Sequence, residues 1–135
     1  MPIIYQWRGD VESVEVNALH AEAFETAVTT EDEWDWRTLL AQHSLGWVTA
    51  RDAGRLVGFV NVISDGRVHA WIQDTMVAAE VRTRGIGTQL VQMAREEAGR
   101  AGCEWLHVDF ADHLEDFYYR ACGFTPTSAG LIHLE

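Results

Sequence analysis

Apolar and polar residues recur along this chain with a period that changes several times, and each change marks an element. Ile3-Ile4-Tyr5-Gln6-Trp7 is a short run of strand type. From Asp10, a residue suited to capping, the spacing predicts a helix to about Ala27 with Val11, Val14, Ala18 and Ala21 facing inward. Thr30-x-x-Glu33 has the form of a capping box and predicts a second helix, with Trp36, Leu39, Leu40 and His43 on one stripe. Residues 45–50 and 56–63 read as strands joined at Asp52-Ala53-Gly54, and Asp65-Gly66 turns the chain into a further strand over 69–79. The helical period returns over 85–99, with Ile86, Leu90, Met93 and Ala94 inward. Residues 103–110 read as a strand. Asp112-x-x-Glu115 then opens a fourth helix with Leu114, Phe117, Tyr118 and Ala121 as its stripe, and residues 129–134 supply a last strand.

The predicted order is β-α-α-β-β-β-α-β-α-β. Three consecutive strands imply antiparallel hairpins, and the later β-α-β crossover implies a parallel pair. An α/β fold follows, with a mixed central sheet and helices on both faces. No repeat and no Gly/Ser/Pro-rich linker divides the chain, so residues 1–135 are expected to form one domain.

Composition narrows the class. With 47% hydrophobic residues against 23% charged, the chain can fill a core, which excludes global disorder. No apolar run approaches the ~18 residues that span a bilayer. The first eight residues lack the charged and apolar regions of a secretion signal. Cys103 and Cys122 allow at most one bridge and read as free thiols of a reducing compartment, so a cytoplasmic protein is expected.

Charge speaks to partners. The net charge of −11 repels phosphate backbones, so nucleic acid is not an expected partner, and without a spanning run neither is a membrane. All ten cations are arginines, and Arg82, Arg84, Arg95 and Arg100 crowd one short stretch while acids gather between 22 and 35. That distribution suggests one local anion site on an acidic body.

The candidate is Val77-Ala78-Ala79-Glu80-Val81-Arg82-Thr83-Arg84-Gly85-Ile86-Gly87-Thr88, where a strand enters a loop with two glycines and a helix starts at once. The first amides of a helix lack intrahelical partners and carry the positive end of its dipole. Glycines let a phosphate approach those amides. A Walker loop is excluded because there is no lysine, and the dinucleotide fingerprint would need glycine at Leu90. Taken alone, the segment fits either a plain helix-start turn or a phosphate site.

Arg82-Thr83-Arg84-Gly85-Ile86-Gly87 resembles the [QR]-x-x-G-x-[GA] signature of the Gcn5-related N-acetyltransferase (GNAT) family. Val77-Ala78-Ala79-Glu80 is similar to the family's V-x-P-E approach, and Phe117-Tyr118-Tyr119-Arg120-Ala121-Cys122-Gly123-Phe124 to its F-Y-x-x-x-G-F segment. The likeness covers nearly the whole chain in element order. It implies acetyl-CoA as co-substrate, with Val77, Ala78, Arg82, Thr83, Arg84, Gly85, Ile86, Gly87 and Thr88 holding it and a strand bulge near Val77 offering a free N–H to the carbonyl. Asp112 departs from the family, standing where an asparagine is common.

The resemblance further implies direct acetyl transfer to a primary amine in a ternary complex. Gly123 sets the register that places Tyr119 as general acid, with Tyr118 packed beside it; a phenol keeps its proton at neutral pH. Asp74 is the leading base, with Glu80 and Glu33 as other candidates. The loop before the second strand would line the acceptor site, and there Glu33, Trp34 and Asp35 suit a small cationic amine by charge and cation–π contact. A peptide acceptor, or a CoA-binding module without turnover, are the alternatives, and a homodimer is possible. The loose cluster His107, Asp109 and His113 lacks metal-ligand spacing, so no metal is expected.

Overall fold

The computed structural model describes residues 2–134. Strand β1 (Ile3–Trp7) is followed by helices α1 (Ser13–Phe24) and α2 (Trp36–His43), then by β2 (Gly46–Asp52), β3 (Arg55–Ser64) and β4 (His69–Val77). A 3-10 segment (Ala79–Arg84) leads into α3 (Ile86–Arg100) and β5 (Trp105–His107). A 3-10 turn (Asp112–Leu114) and a π-helix (Asp116–Ala121) follow. The five strands lie in sequence order, antiparallel from β1 to β4, with β5 parallel to β4 through the α3 crossover.

Alternation along β3 sends its side chains to two covered faces. A β-carbon on Gly58 would come 3.0 Å from Ile86 Cγ2, so α3 lies against that face, with Ile86, Leu90, Val91, Ala94 and Ala98 buried. Phe59 points the other way and meets Trp36 of α2 edge-on, with 5.5 Å between centroids. The mixed sheet with helices on both faces is as predicted. Its core joins Val48, Ala50, Phe59, Val60, Val62, Ile72 and Met76 to apolar residues of the three helices.

Five elements differ from the sequence reading, two of them before the sheet's second strand. Helix α1 starts after Glu12 rather than Asp10 and ends at Phe24, and Val14 faces solvent. Its inner face carries two polar residues, Ser13 and Asn17, which a hydrophobicity pattern assigns outward. Both are buried because they bond across to the α1–α2 connection: Ser13 Oγ donates to Asp35, Asn17 Nδ2 donates to the Trp34 carbonyl, and Trp36 Nε1 donates to Asn17 Oδ1 at 2.8 Å. The Thr30–Glu33 box forms but closes a single turn, and α2 starts at Trp36, capped by Asp35 onto the Thr38 N–H.

The C-terminal third differs most. The fourth helix is a π-turn whose wider period buries Tyr118 and half-buries Cys122, leaving Ala121 exposed. Strand β5 keeps three of its eight predicted residues. Among the described residues no strand forms over 129–134, where Leu131 and Ile132 are more than 80% exposed. With β5 so short, there is little ladder for a sixth strand to extend.

The Asn17 clip is open to test. Asn17→Leu keeps the volume but strands the Trp36 N–H and the Trp34 carbonyl, which costs about 1–3 kcal/mol. Urea unfolding reads that as a lower midpoint; an unchanged midpoint means the clip contributes nothing.

Candidate active site

Strands β4 and β5 pair only at His69–Trp105, Ala70–Leu106 and Trp71–His107. Beyond Trp71, β4 continues six residues to Val77 with no strand on that edge among the described residues. The orientation of the amides there follows from the ladder. The Ala78 N–H donates to the Val57 carbonyl at 2.8 Å, which makes Gly58 and Val77 a non-hydrogen-bonded pair. The peptide groups of Val77 therefore point away from β3, toward the uncovered edge. Arg82 Nε reaches the Val77 carbonyl from that side, and the Val77 N–H faces the gap between β4 and β5.

The bulge lies earlier than Val77, where the family resemblance implies it. Phe59 pairs with Met76 and Asn61 with Gln73, so three residue steps on β4 oppose two on β3. The extra residue is accommodated at Asp74–Thr75, where Asp74 adopts φ 57°, a left-handed conformation that Asp tolerates better than most side chains. Asp74 is half-buried. Burial pushes its carboxyl above the ordinary range, and the charge of His20 on α1 partly offsets that.

At the end of β4, Ala78 is buried while Thr83, Arg84 and Gly85 are exposed. Gly85 turns the chain at φ 75° with open space where a β-carbon would stand, and Ile86 plunges into the core to start α3. Gly87 and Thr88 lie half-buried in the first turn, and a β-carbon on Gly87 would stand 3.1 Å from the Phe117 ring. The arginines of this loop are engaged with the protein. Besides Val77, Arg82 donates to the carbonyls of Glu22 and Ala23 at the end of α1 (3.5 and 3.2 Å), and Arg84 pairs with Asp52 at 3.8 Å. The cradle this loop can offer an anion is thus mainly the main-chain amides at the start of α3.

A family model for the acetyltransferase (GNAT) family matches residues 12–124, which include β4, this loop, α3 and the π-helix. The chain belongs to the GNAT acetyltransferase family. It is an acyltransferase by that membership, and its sheet is the family's. Similar solved structures include a GNAT family protein from Streptococcus pneumoniae (24% identity, TM-score 0.75, 99% of this chain and 98% of that one). Glucosamine-6-phosphate N-acetyltransferase from Arabidopsis thaliana shares the fold at 16% identity (TM-score 0.75, 97% and 98% covered). The aminoglycoside N-acetyltransferase AAC(6')-Iy does so at 15% (TM-score 0.76, 100% and 99% covered), in complex with the bisubstrate analogue CoA-S-monomethyl-acetylneamine. No curated protein sequence matches the chain.

The remaining predicted GNAT site residues fall into two groups. Phe117 docks the π-helix on the start of α3, which puts the tyrosine pair beside the loop. Tyr118 is buried, its ring stacked on Phe110 at 4.6 Å; burial raises its phenol pKa and the Thr75 side chain offsets part of that. Tyr119 is half-buried and meets Phe110 edge-on at 5.2 Å. Glu33, Trp34 and Asp35 lie elsewhere, on the α1–α2 connection. Hydrogen bonds from Thr30 hold the Glu33 carboxyl low, and bonds from Thr38 do the same for Asp35, so both carboxylates are engaged in capping. Trp34 is half-exposed beside Trp36. Glu80 is ion-paired with Arg55.

Two neighbours of the site had no signal in the sequence pattern. Glu22 accepts the Ala79 N–H and faces Arg55 at 3.7 Å, tying α1 to the loop. His20 sits close enough to Asp74 for its charge to act on the carboxyl. His107, read as part of a loose cluster, instead meets His69 across the β4–β5 junction at 2.8 Å.

Asp74 carries a stability signature. A carboxyl whose native pKa is raised penalises the folded state once pH climbs above its unfolded value near 3.8, fully so above the native value. Asp74→Asn, which suits the left-handed backbone, removes that penalty. The variant is expected to melt higher than the parent at pH 7, with the gap closing below pH 3.8. A parent that is the more stable of the two at pH 7 contradicts the burial argument.

Proposed function

We propose that this acyltransferase moves the acetyl group of acetyl-CoA onto the primary amine of a small cationic molecule by direct attack. The observation that carries the reading is the free edge of β4, which runs from the parting of the strands past Asp74 and Val77 into the glycine-turned start of α3. An extended pantetheine arm fits along an unpaired strand edge, because its amides can bond main-chain groups that β5 leaves open. A diphosphate fits the amides around Gly85 and Gly87, where no β-carbon intrudes, flanked by Thr83, Arg84 and Thr88. Val77 and Ala78 set the depth of that arm, Ile86 anchors the helix start, and Arg82 holds the loop.

Acetyl-CoA, when bound, supplies an activated acetyl thioester. The chain's own groups supply the rest. Asp74, half-buried and raised in pKa, takes a proton from the incoming ammonium so that its nitrogen can attack. The Val77 N–H, aimed into the gap, stabilises the negative charge that develops on the carbonyl oxygen. The Tyr119 hydroxyl holds the proton for the departing sulfur. A C–N bond forms as the C–S bond breaks; of the two protons the ammonium loses, one goes to Asp74 and on to water before attack, and the other leaves the nitrogen as the tetrahedral centre collapses and replaces the proton that Tyr119 gives to the sulfur. Trp34 offers a cation–π face to the acceptor, and Glu33 and Asp35 add negative potential from their capping positions.

Three substitutions test the assignment. Gly87→Val forces branched bulk against the Phe117 ring and so displaces the first amides of α3, and calorimetry is expected to show CoA binding lost with the far-UV circular dichroism kept; unchanged affinity removes the cradle. Tyr119→Phe keeps the ring and is expected to lower kcat by about 10²–10⁴-fold with CoA affinity little changed. Tyr118→Phe should cost far less. The reverse order of the two tyrosines would move the acid by one residue.

A further inference from the structure

Two imidazoles close the junction at which β4 and β5 part. His69 and His107 meet nitrogen to nitrogen, Nδ1 to Nε2, at 2.8 Å, with 5.0 Å between ring centroids. They bracket the whole pairing of these strands, since His69 stands opposite Trp105 at its first step and His107 opposite Trp71 at its last. Trp71 stacks on His107 at 4.7 Å and 18°, and all three rings are half-buried. Past Trp71 begins the edge of β4 that no described strand covers.

A 2.8 Å contact between two ring nitrogens needs one proton between them and only one. With both rings neutral, one nitrogen donates and the other accepts. A first added proton leaves that bond in place and makes it charge-assisted. A second puts a hydrogen on both facing nitrogens, so the bond is lost and two like charges stand against each other.

The surroundings balance one such charge more readily than two. Asp65, in the turn before β4, accepts the amides of Arg67 and His69 at 2.8 and 3.1 Å, and its carboxylate feels the charge of His69. Arg67, in the same turn, adds a cation. On the β5 side the flanking charges, Glu104 and Asp109, are exposed to solvent. Burial and the charge of Asp65 push the Cys103 thiol up, so it stays neutral. Asp74 lies further along β4, beyond the pairing.

We propose that the His69–His107 pair is an acid-sensitive latch on the β4–β5 junction: one shared proton keeps it closed, and a second opens it and frees the three paired residues of β4. Histidine side chains change charge in the weakly acidic range, so the latch works there. The inference stands apart from the acceptor and the mechanism proposed above.

The test follows both imidazoles by NMR from about pH 8 to 4, with amide protection corrected for the intrinsic exchange rate at each pH. The reporters are the Trp105 amide, bonded to the Val68 carbonyl at 3.1 Å where β5 begins, and the Ala78 amide, bonded to β3. We expect the pair to titrate in two steps more than about one pH unit apart. Trp105 should lose protection at least about tenfold in the second step, the scale of one like-charge contact near a surface, while Ala78 keeps its own. In His69→Gln and in His107→Gln, where a single ring titrates, the acid loss at Trp105 should disappear. One shared step overturns the latch, as does a Trp105 amide equally protected throughout. A loss that Ala78 shares, or one that persists in both variants, overturns it as well.

Discussion

Strands β4 and β5 run side by side for three residues and then part, and the proposed chemistry is organised around that parting. A strand edge without a partner is normally a liability, because its N–H and C=O groups must find solvent or another chain. Here the open edge leads from a bulge that carries a half-buried carboxyl to the glycine-turned start of a helix, where the first amides lack i−4 partners within the helix. Directional main-chain donors, the Asp74 carboxyl and the glycine-turned start of α3 therefore fall on one line, and the proposed base and anion cradle with them.

Keeping that line in place takes cross-ties. Arg82 reaches the carbonyls of Glu22, Ala23 and Val77, so a single guanidinium holds the end of α1 to the end of β4. Carbonyls at a helix C-terminus lack intrahelical donors, and a cation there also suits the dipole. Glu22 returns the tie by accepting the Ala79 N–H, and Arg55 links Glu22 to Glu80. Arg82 thus fixes the loop's shape, and the proposed anion site draws on the loop's main chain rather than on this guanidinium. At the other end of α1, Arg51 grips Glu15 with two hydrogen bonds of 2.9 and 2.6 Å, holding that helix to β2.

Much of this is legible in the amino-acid pattern alone. The periods of β1 to β4 and α3 are unambiguous because their apolar residues point at one core, and two glycine-containing motifs at the right spacing indicate the family. What the pattern hides has physical reasons. Ser13 and Asn17 are polar yet inward, since their partners come from a loop about twenty residues away, so hydrophobicity alone misassigns the face of α1. The bulge at Asp74 leaves no mark in composition, because an aspartate in left-handed backbone reads like any other. The end of β5 depends on a partner strand rather than on its own residues, and 103–110 carry apolar residues well past the last pairing. Residues 129–134 have the pattern of a strand without a ladder to join.

The account turns on the Val77 amide, which the ladder directs into the gap while its neighbour Ala78 bonds to β3. Residue-resolved amide hydrogen exchange separates the two. In the free protein Val77 should exchange rapidly and Ala78 slowly, and saturating CoA should slow Val77 while leaving Ala78 where it was. A Val77 amide already as protected as Ala78, or one that CoA does not slow, would contradict the claim that the parted edge of β4 is the site of reaction.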